Sequence, residues 1–345
     1  MKVLVTGGTG FTGSALVMKL VNLGYSVKTL DYKEGIRVEQ LKEAGVDVVI
    51  GSVTDKKLVD EVTDSVDFVF HVAAAFREMD VPDEHYYNVN VNGTRNVFEA
   101  AKKHNVKKVI YCSTQGVHGH ISNPPGDENS PIAPEDYYQQ TKYEGELVAQ
   151  EFIKEGMRVT IIRPTAIYGP GDPERFYMIF KRVKNGTFPM FGKGNTFYHP
   201  VYIDNLVDAF ILSMDPDKGN GQTYIIADEE YFPIKELVKR VGKAMDKDVK
   251  IKFYPIIPLV IAGHVVEKIC KPFGIAPPIF PRRVDWFRQV RAFKIEKAKH
   301  ELGYKPQVGI DEGLRNTAEW YKEKGYFSSN AKNLPKLTLS HTPQS

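Results

Sequence analysis

The chain has 345 residues, of which 42% are hydrophobic and 26% charged, with a net charge of +3. That length and balance suit a folded protein of about two domains and exclude a disordered chain. The near-neutral charge offers no footprint for nucleic acid, and two cysteines, Cys112 and Cys270, are too few for a disulfide framework.

The first residues, Met1-Lys2-Val3-Leu4-Val5, run straight into a glycine-rich turn and lack the pattern of a secretory signal, so a cytoplasmic setting is expected. Lys2–Thr6 is an apolar run that predicts a strand. Phe11–Leu23 has helical periodicity and stops at Gly24. Further strands are predicted at Ser26–Leu30, Val46–Ile50, Phe68–Val72, Lys107–Cys112 and Arg158–Ile162, with helices at about Glu84–Lys103 and Tyr138–Glu155. This alternation predicts an α/β fold with a parallel sheet covered on both faces.

The pattern loosens after Tyr168. Gly169-Pro170-Gly171-Asp172-Pro173 is a turn cluster, and residues 173–197 read as an insertion with its own helix. Val201–Leu212 returns to the sheet domain, and Thr223–Ala227 predicts one more strand. From Glu229 the chain predicts a smaller, mostly helical substrate domain. The expected division is therefore 1–170 plus about 200–227 for the sheet domain and about 171–199 plus 228–327 for the second, with 328–345 as a disordered tail. Phe253–Val266 is apolar, but its length and Pro255 and Pro258 argue against a membrane span; peripheral contact stays open.

Thr6-Gly7-Gly8-Thr9-Gly10-Phe11-Thr12-Gly13 sits at a strand-to-helix junction. Gly7 permits the tight turn, Gly10 lets a pyrophosphate approach the backbone, and Gly13 lets the helix pack on the sheet. The helix start favours phosphate. Asp31 ends the second strand, eighteen residues past Gly13, where its carboxylate can accept from ribose hydroxyls. These features predict a Rossmann dinucleotide domain. Asp31 would repel a 2′-phosphate, which favours NAD; Lys33 and Arg37 nearby keep NADP possible.

Tyr138 and Lys142 are four residues apart, hence on one helix face. A neighbouring ammonium favours the phenolate of a tyrosine, which can then exchange a proton with a substrate oxygen. Thr114 ends a strand on the carboxyl edge of the sheet, where ligands of open α/β sheets bind, and can hydrogen-bond the reacting oxygen; Ser113 is the fallback. Gln115 adjoins it.

At these residues the sequence resembles the extended short-chain dehydrogenase/reductase superfamily. That superfamily includes nucleotide-sugar epimerases, dehydratases and the 3-beta-hydroxysteroid dehydrogenase group. The resemblance rests on the Gly7–Gly13 loop, Asp31, His71-Val72-Ala73-Ala74, Asn90-Val91-Asn92-Gly93-Thr94, Ser113-Thr114 and Tyr138/Lys142. It continues through Arg163-Pro164-Thr165-Ala166-Ile167-Tyr168-Gly169-Pro170, Tyr202-Ile203-Asp204-Asn205 and Lys297–Tyr304, and runs from Lys2 to about Tyr326. It implies that Tyr138 is the general acid/base, that Lys142 holds the nicotinamide ribose, and that Thr114 orients the substrate oxygen. It implies cofactor contacts at Gly7, Thr9, Gly10, Phe11, Thr12, Gly13, Asp31, Ser52, Val53, Ala73, Ala74, Pro164 and Ile167. Ser52 stands where the family often has an aspartate. Asn90 and His71 are expected to be structural. The helices at 84–103 and 138–155 resemble those that pair into a four-helix bundle, which implies a homodimer.

Members acting on diphosphosugars usually carry an arginine just before Tyr202. Here the stretch is Asn195-Thr196-Phe197-Tyr198-His199-Pro200. The missing cation argues against a nucleotide sugar, although Arg175, Arg182 or Arg282/Arg283 could supply one. Tyr254–Ile261 and Phe273–Phe280 are apolar and suit a hydrophobic, steroid- or lipid-like substrate. Gln115, Tyr168, Tyr198 and His199 are the expected substrate contacts. His118-Gly119-His120 lacks a ligand cluster, so no metal is expected. Trp286 and Trp320 are expected in the core or between domains, and Arg282–Arg291 on a solvated face. The leading expectation is an NAD(P)-dependent alcohol/ketone oxidoreductase. The rival is a sugar-nucleotide epimerase or dehydratase with NAD kept in place, and a remoter one is a non-catalytic dinucleotide sensor.

Overall fold

Runs of Val, Ile and Phe form the strands and the periodic stretches between them form helices. The computed structural model describes residues 1–76, 78, 81–172, 175–270 and 284–328. The first half reads β1 (Lys2–Thr6), α1 (Phe11–Asn22), β2 (Ser26–Asp31), α2 (Val38–Glu43), β3 (Asp47–Ile50), α3 (Lys56–Thr63) and β4 (Phe68–His71). It continues with α4 (Asp83–Tyr87), α5 (Gly93–Lys103), β5 (Lys108–Cys112), α6 (Tyr137–Lys154) and β6 (Val159–Pro164). The second half carries β7 (Ala166–Tyr168), α7 (Arg175–Lys184), β8 (Thr187–Phe191), β9 (Phe197–Tyr198), β10 (Pro200–Tyr202), α8 (Ile203–Leu212) and β11 (Gln222–Ile226). Then come β12 (Phe232–Pro233), α9 (Ile234–Ala244), β13 (Lys250–Tyr254), α10 (Ile257–Cys270), α11 (Glu296–Leu302) and α12 (Ile310–Glu323).

Seven parallel strands form the main sheet in the order β11-β6-β5-β4-β1-β2-β3. The order reverses between β1 and β4, where Thr6 lies in register with His71. This is the doubly wound Rossmann arrangement, and the reversal opens a crevice at the carboxyl ends of those strands. One apolar core packs α1 and α8 on one face and extends into the second-half elements. The other buries Val59, Val62, Val97, Phe98, Val148 and Phe152 of α3, α5 and α6 against the opposite face. Burial on both faces explains why β5 and β6 are buried at every position.

Two features differ from the sequence reading. The helix expected over Glu84–Lys103 is broken by a π-helical turn at Asn88–Asn92. Such a turn inserts an extra residue, and here the fully buried Asn90 lies within it. The stretch expected to form a mostly helical second domain also holds a parallel β8–β13 pair and an antiparallel β9–β12 pair. Short pairings between distant segments leave no periodic signature. Among the described residues no helix is long and apolar enough to cross a membrane. Of the expected tail only Ser328 is described, and the apolar run Phe273–Phe280 with Arg282 and Arg283 lies outside the described residues.

Candidate active site

The glycine loop is shaped by close approach. Gly7 has φ +70°, and a Cβ there would stand 2.7 Å from the Ala73 backbone nitrogen. A Cβ on Gly13 would stand 2.0 Å from the Gly7 carbonyl oxygen. Gly10 differs: its φ is −69°, and a Cβ would meet only the Gly7 carbonyl oxygen at 3.4 Å, an ordinary contact. Neither backbone strain nor crowding demands glycine at 10, so its missing side chain leaves free space in front of α1. That helix has no side-chain cap and no acidic residue in its first turn, where Phe11, Thr12 and Gly13 lie. Its positive end is left for an anion.

Asp31 is buried at the end of β2, and its Oδ2 accepts from the Thr9 amide at 3.0 Å and the Thr9 hydroxyl at 2.8 Å. Burial raises its pKa, while those bonds oppose the rise. Arg37 is turned away, donating to the Pro170 carbonyl at 2.7 Å and packing on Gly171. Lys33 lies over the Tyr32 ring. At the end of β3, Ser52 makes a 2.8 Å hydroxyl contact with Thr54, while buried Val53 fills the space beside Gly93. Ser52, Thr54, Asn88, Asn92 and Asn96 line a cavity of about 530 Å³ on that side.

Behind the crevice the polar groups form a directed chain. The Thr6 hydroxyl accepts from the Ala73 amide and meets His71 Nδ1 at 2.7 Å. His71 Nε2 lies 2.9 Å from the Thr94 hydroxyl, which donates to the Asn90 carbonyl. Since Thr94 donates onward, His71 Nε2 carries the proton and Nδ1 accepts. Full burial drives this imidazole down to about 3, so it stays neutral. Asn90 clamps three elements. Its Oδ1 accepts from the Ala75 amide, and its Nδ2 donates to the Ala75 carbonyl and the Thr141 hydroxyl. The segment through Ala73 and Ala74 is thereby tied to α6.

Asp136 caps α6 through the Gln139 amide. Within the first turn, Tyr138 is half-buried, with the Phe76 ring 4.9 Å away and tilted over it. Lys142 is buried, and its Nζ has no hydrogen-bond partner. It lies 4.5 Å from the centre of the Tyr111 ring, which also stacks on His71 at 5.5 Å. Burial pushes this ammonium down to about 8. An orphaned cation beside a half-exposed tyrosine marks a place where a ligand supplies the missing acceptors. Gln115 Oε1 and Thr165 Oγ1, beyond the carboxyl ends of β5 and β6, are also buried without partners. Together with the open space at Gly10, these residues fit a dinucleotide.

The strand-end hydroxyls divide. Thr114 is half-buried and accepts from the Gly116 amide at 3.0 Å, keeping its own proton. Ser113 is buried and donates to Glu146 Oε1, away from the crevice. Glu146, one turn beyond Lys142, receives Arg163 through Nε at 2.9 Å and Nη2 at 2.6 Å. Arg163 Nη1 reaches His118 Nε2 at 2.9 Å. Sequence reasoning missed Glu146 and Phe76; the spacing Tyr138, Lys142, Glu146 along one helix face was the available signal for the former.

Of the expected substrate residues, Gln115 lies at the crevice, and the other three are buried among core side chains. Tyr168 is fully buried against Phe176 and Tyr202, and Tyr198 is buried beside Phe176 and Trp286. His199 is buried, with Nε2 at 2.8 Å from the Asp228 carbonyl and Nδ1 accepting from the Phe293 amide. All three are core members. Pro164 is buried, while Ile167 is partly exposed.

Comparison with known proteins agrees with this geometry. A 3-beta hydroxysteroid dehydrogenase/isomerase of Mycobacterium tuberculosis is 31% identical over 93% of this chain and 90% of its own length. An undecaprenol-linked N-acetylglucosaminyl-diphosphate 4-epimerase of Escherichia coli O157:H7 is 27% identical over 92% of this chain and 94% of its own. A dTDP-glucose 4,6-dehydratase of Streptomyces venezuelae, solved with NAD bound, superposes with a TM-score of 0.76 at 25% identity, covering 95% of this chain and 98% of that one. A family model described as the 3-beta hydroxysteroid dehydrogenase/isomerase family matches residues 4–248, and the chain belongs to that family, within the extended short-chain dehydrogenases/reductases.

Proposed function

We propose that the protein is an NAD-dependent oxidoreductase that interconverts an alcohol and a ketone on a hydrophobic substrate. The observation that carries the reading is the buried, unpartnered Lys142 one helical turn from Tyr138, with the exposed Phe76 ring over that tyrosine. Gly10 and the start of α1 would hold the pyrophosphate, Asp31 the adenosine ribose, and Lys142 the nicotinamide ribose. When bound, the nicotinamide takes or returns a hydride. Tyr138 takes the hydroxyl proton during oxidation and returns it during reduction. Thr114, with its own proton free, donates to the same substrate oxygen. Lys142 favours the phenolate by its charge. Phe76, 44% exposed, presents an apolar wall beside the reacting centre. Asp31, and an Arg37 committed to Pro170, favour NAD over NADP.

The epimerase or dehydratase reading stands second, favoured by the similarity to the undecaprenol-linked sugar epimerase. One preparation separates the two. Denatured, freshly purified protein that releases stoichiometric NAD supports cofactor recycled in place. An empty site that binds NADH reversibly, with activity on steroid-like or long-chain alcohols, supports the dehydrogenase. Tyr138→Phe should abolish turnover yet keep NADH binding; retained turnover would refute the acid/base role. The α5–α6 face, with exposed Leu147 and Tyr87 nearby, is the proposed homodimer contact, and a monomer by sedimentation would refute it.

A further inference from the structure

The inward face of α6 carries a carboxylate that the proposed chemistry leaves unused. Glu146 stands four residues beyond Lys142, so the two share that face, and they are only 3% and 1% exposed. Glu146 Oε1 receives the Ser113 hydroxyl and Arg163 Nε, and its Oε2 receives Arg163 Nη2. Arg163 Nη1 extends the chain to His118 Nε2. His118 Nδ1 lies 3.0 Å from the Ser130 carbonyl and 3.1 Å from the Pro131 carbonyl, neither of which can donate. The ring proton is therefore on Nδ1, Nε2 accepts from Arg163, and every donor in the network has its direction. The members bracket the crevice. Ser113 precedes Thr114, Arg163 lies two residues before Thr165, and Glu146 is one turn from Lys142.

The network acts on the crevice in two ways. It commits the Ser113 proton to Glu146, which withdraws that hydroxyl from the crevice. It also sets a negative charge one helical turn from a buried lysine to which the protein offers no hydrogen-bond acceptor. The other groups around Lys142 are His71 from β4, Tyr111 and Cys112 from β5, and Tyr138 from its own helix. Burial drives His71 down to about 3 and Cys112 up to about 11, and it holds the Tyr111 phenol well above its usual range. None of those three is charged near neutral pH, so Glu146 supplies the negative charge. Burial alone disfavours an ammonium, and a nearby opposite charge restores it. We propose that Glu146 is the positioning residue of Lys142: held by Arg163 and Ser113, its carboxylate supports that ammonium at the nicotinamide ribose. The proposal rests on the dinucleotide reading of the site, and on neither the identity of the substrate nor the direction of the reaction.

The test is the NADH affinity of the full-length protein against pH, read by fluorescence titration from about pH 6 to 9. Burial holds Lys142 down at about 8, and its charged form binds the ribose, so affinity should be level below that pH and fall above it. Glu146→Gln should move the fall down by about one pH unit, with binding unchanged at about pH 6 and about fivefold weaker at about pH 8. Arg163→Met breaks the same ion pair but keeps the carboxylate, so it should not move the fall down. A purely structural role would weaken binding by one factor at every pH and in both variants alike. Should Glu146→Gln not fold, Glu146→Leu with Arg163→Met leaves neither charge buried and should show the same downward shift. A fall that stays in place when the carboxylate is removed, a loss independent of pH, or an equal downward shift in Arg163→Met overturns the proposal. Lys142→Met keeps the two failures apart. It should bind NADH weakly with no fall at all, and an affinity equal to that of the unaltered protein would instead overturn the dinucleotide role of Lys142.

Discussion

Replacing Arg163 by methionine isolates what the buried ion pair does. The guanidinium and the Glu146 carboxylate are only 7% and 4% exposed and meet through two hydrogen bonds. Methionine keeps the length and fills the space but leaves the carboxylate buried with Ser113 as its remaining donor. Losing one partner of such a pair costs about 3–5 kcal/mol, most of it the uncompensated charge. Urea unfolding followed by circular dichroism reads the loss, which should be several kcal/mol. The double change Arg163→Met with Glu146→Leu should recover much of it. A deficit below about 1 kcal/mol would refute the reasoning.

Gly10→Ala should weaken NADH binding at least about tenfold without lowering stability, since the protein itself leaves room there. Gly13→Ala should lose both, because its Cβ meets the Gly7 carbonyl; equal stability of the two variants in thermal unfolding would contradict this. Burial holds His199 down to about 4, below its ordinary value of 6.5. The unfolded chain therefore takes up the proton first, and stability should fall between pH 6.5 and 4 by about 3 kcal/mol. His199→Asn should flatten that part of the stability curve, and an unchanged slope would exclude His199 as its source. Asp31→Ser should raise the NADPH-to-NADH affinity ratio, and an unchanged ratio in parallel titrations would remove the selectivity role.

The sheet domain was legible because each strand is a short β-branched run ended by a turn, and because the glycine spacing answers to backbone contacts. Helical spacing put Tyr138 and Lys142 on one helix and strand-end placement put Thr114 after the fifth strand, and the structure has the first two on α6 and Thr114 directly after β5. The π turn was not, since nothing in Asn-Val-Asn-Val-Asn marks an inserted residue, and its buried Asn90 reaches Ala75 and Thr141 at once. His199 misled because a polar aromatic residue near a crevice motif looks the same in sequence whether it faces a ligand or, as here, bonds the Asp228 carbonyl and Phe293 amide. The β8–β13 pair was invisible because Thr187–Phe191 and Lys250–Tyr254 are far apart in sequence, and such pairing leaves no local pattern.

The place of β11 in the sheet has a consequence for biosynthesis. This strand completes one edge by pairing with β6, yet the whole stretch from β7 to α8 is made between the two. During translation β6, a strand buried at every position in the finished protein, therefore waits with one row of amide and carbonyl groups unmatched. An open, apolar edge of that kind is a template for pairing with another chain. Pairing of Gln222–Ile226 with β6 is what closes that edge.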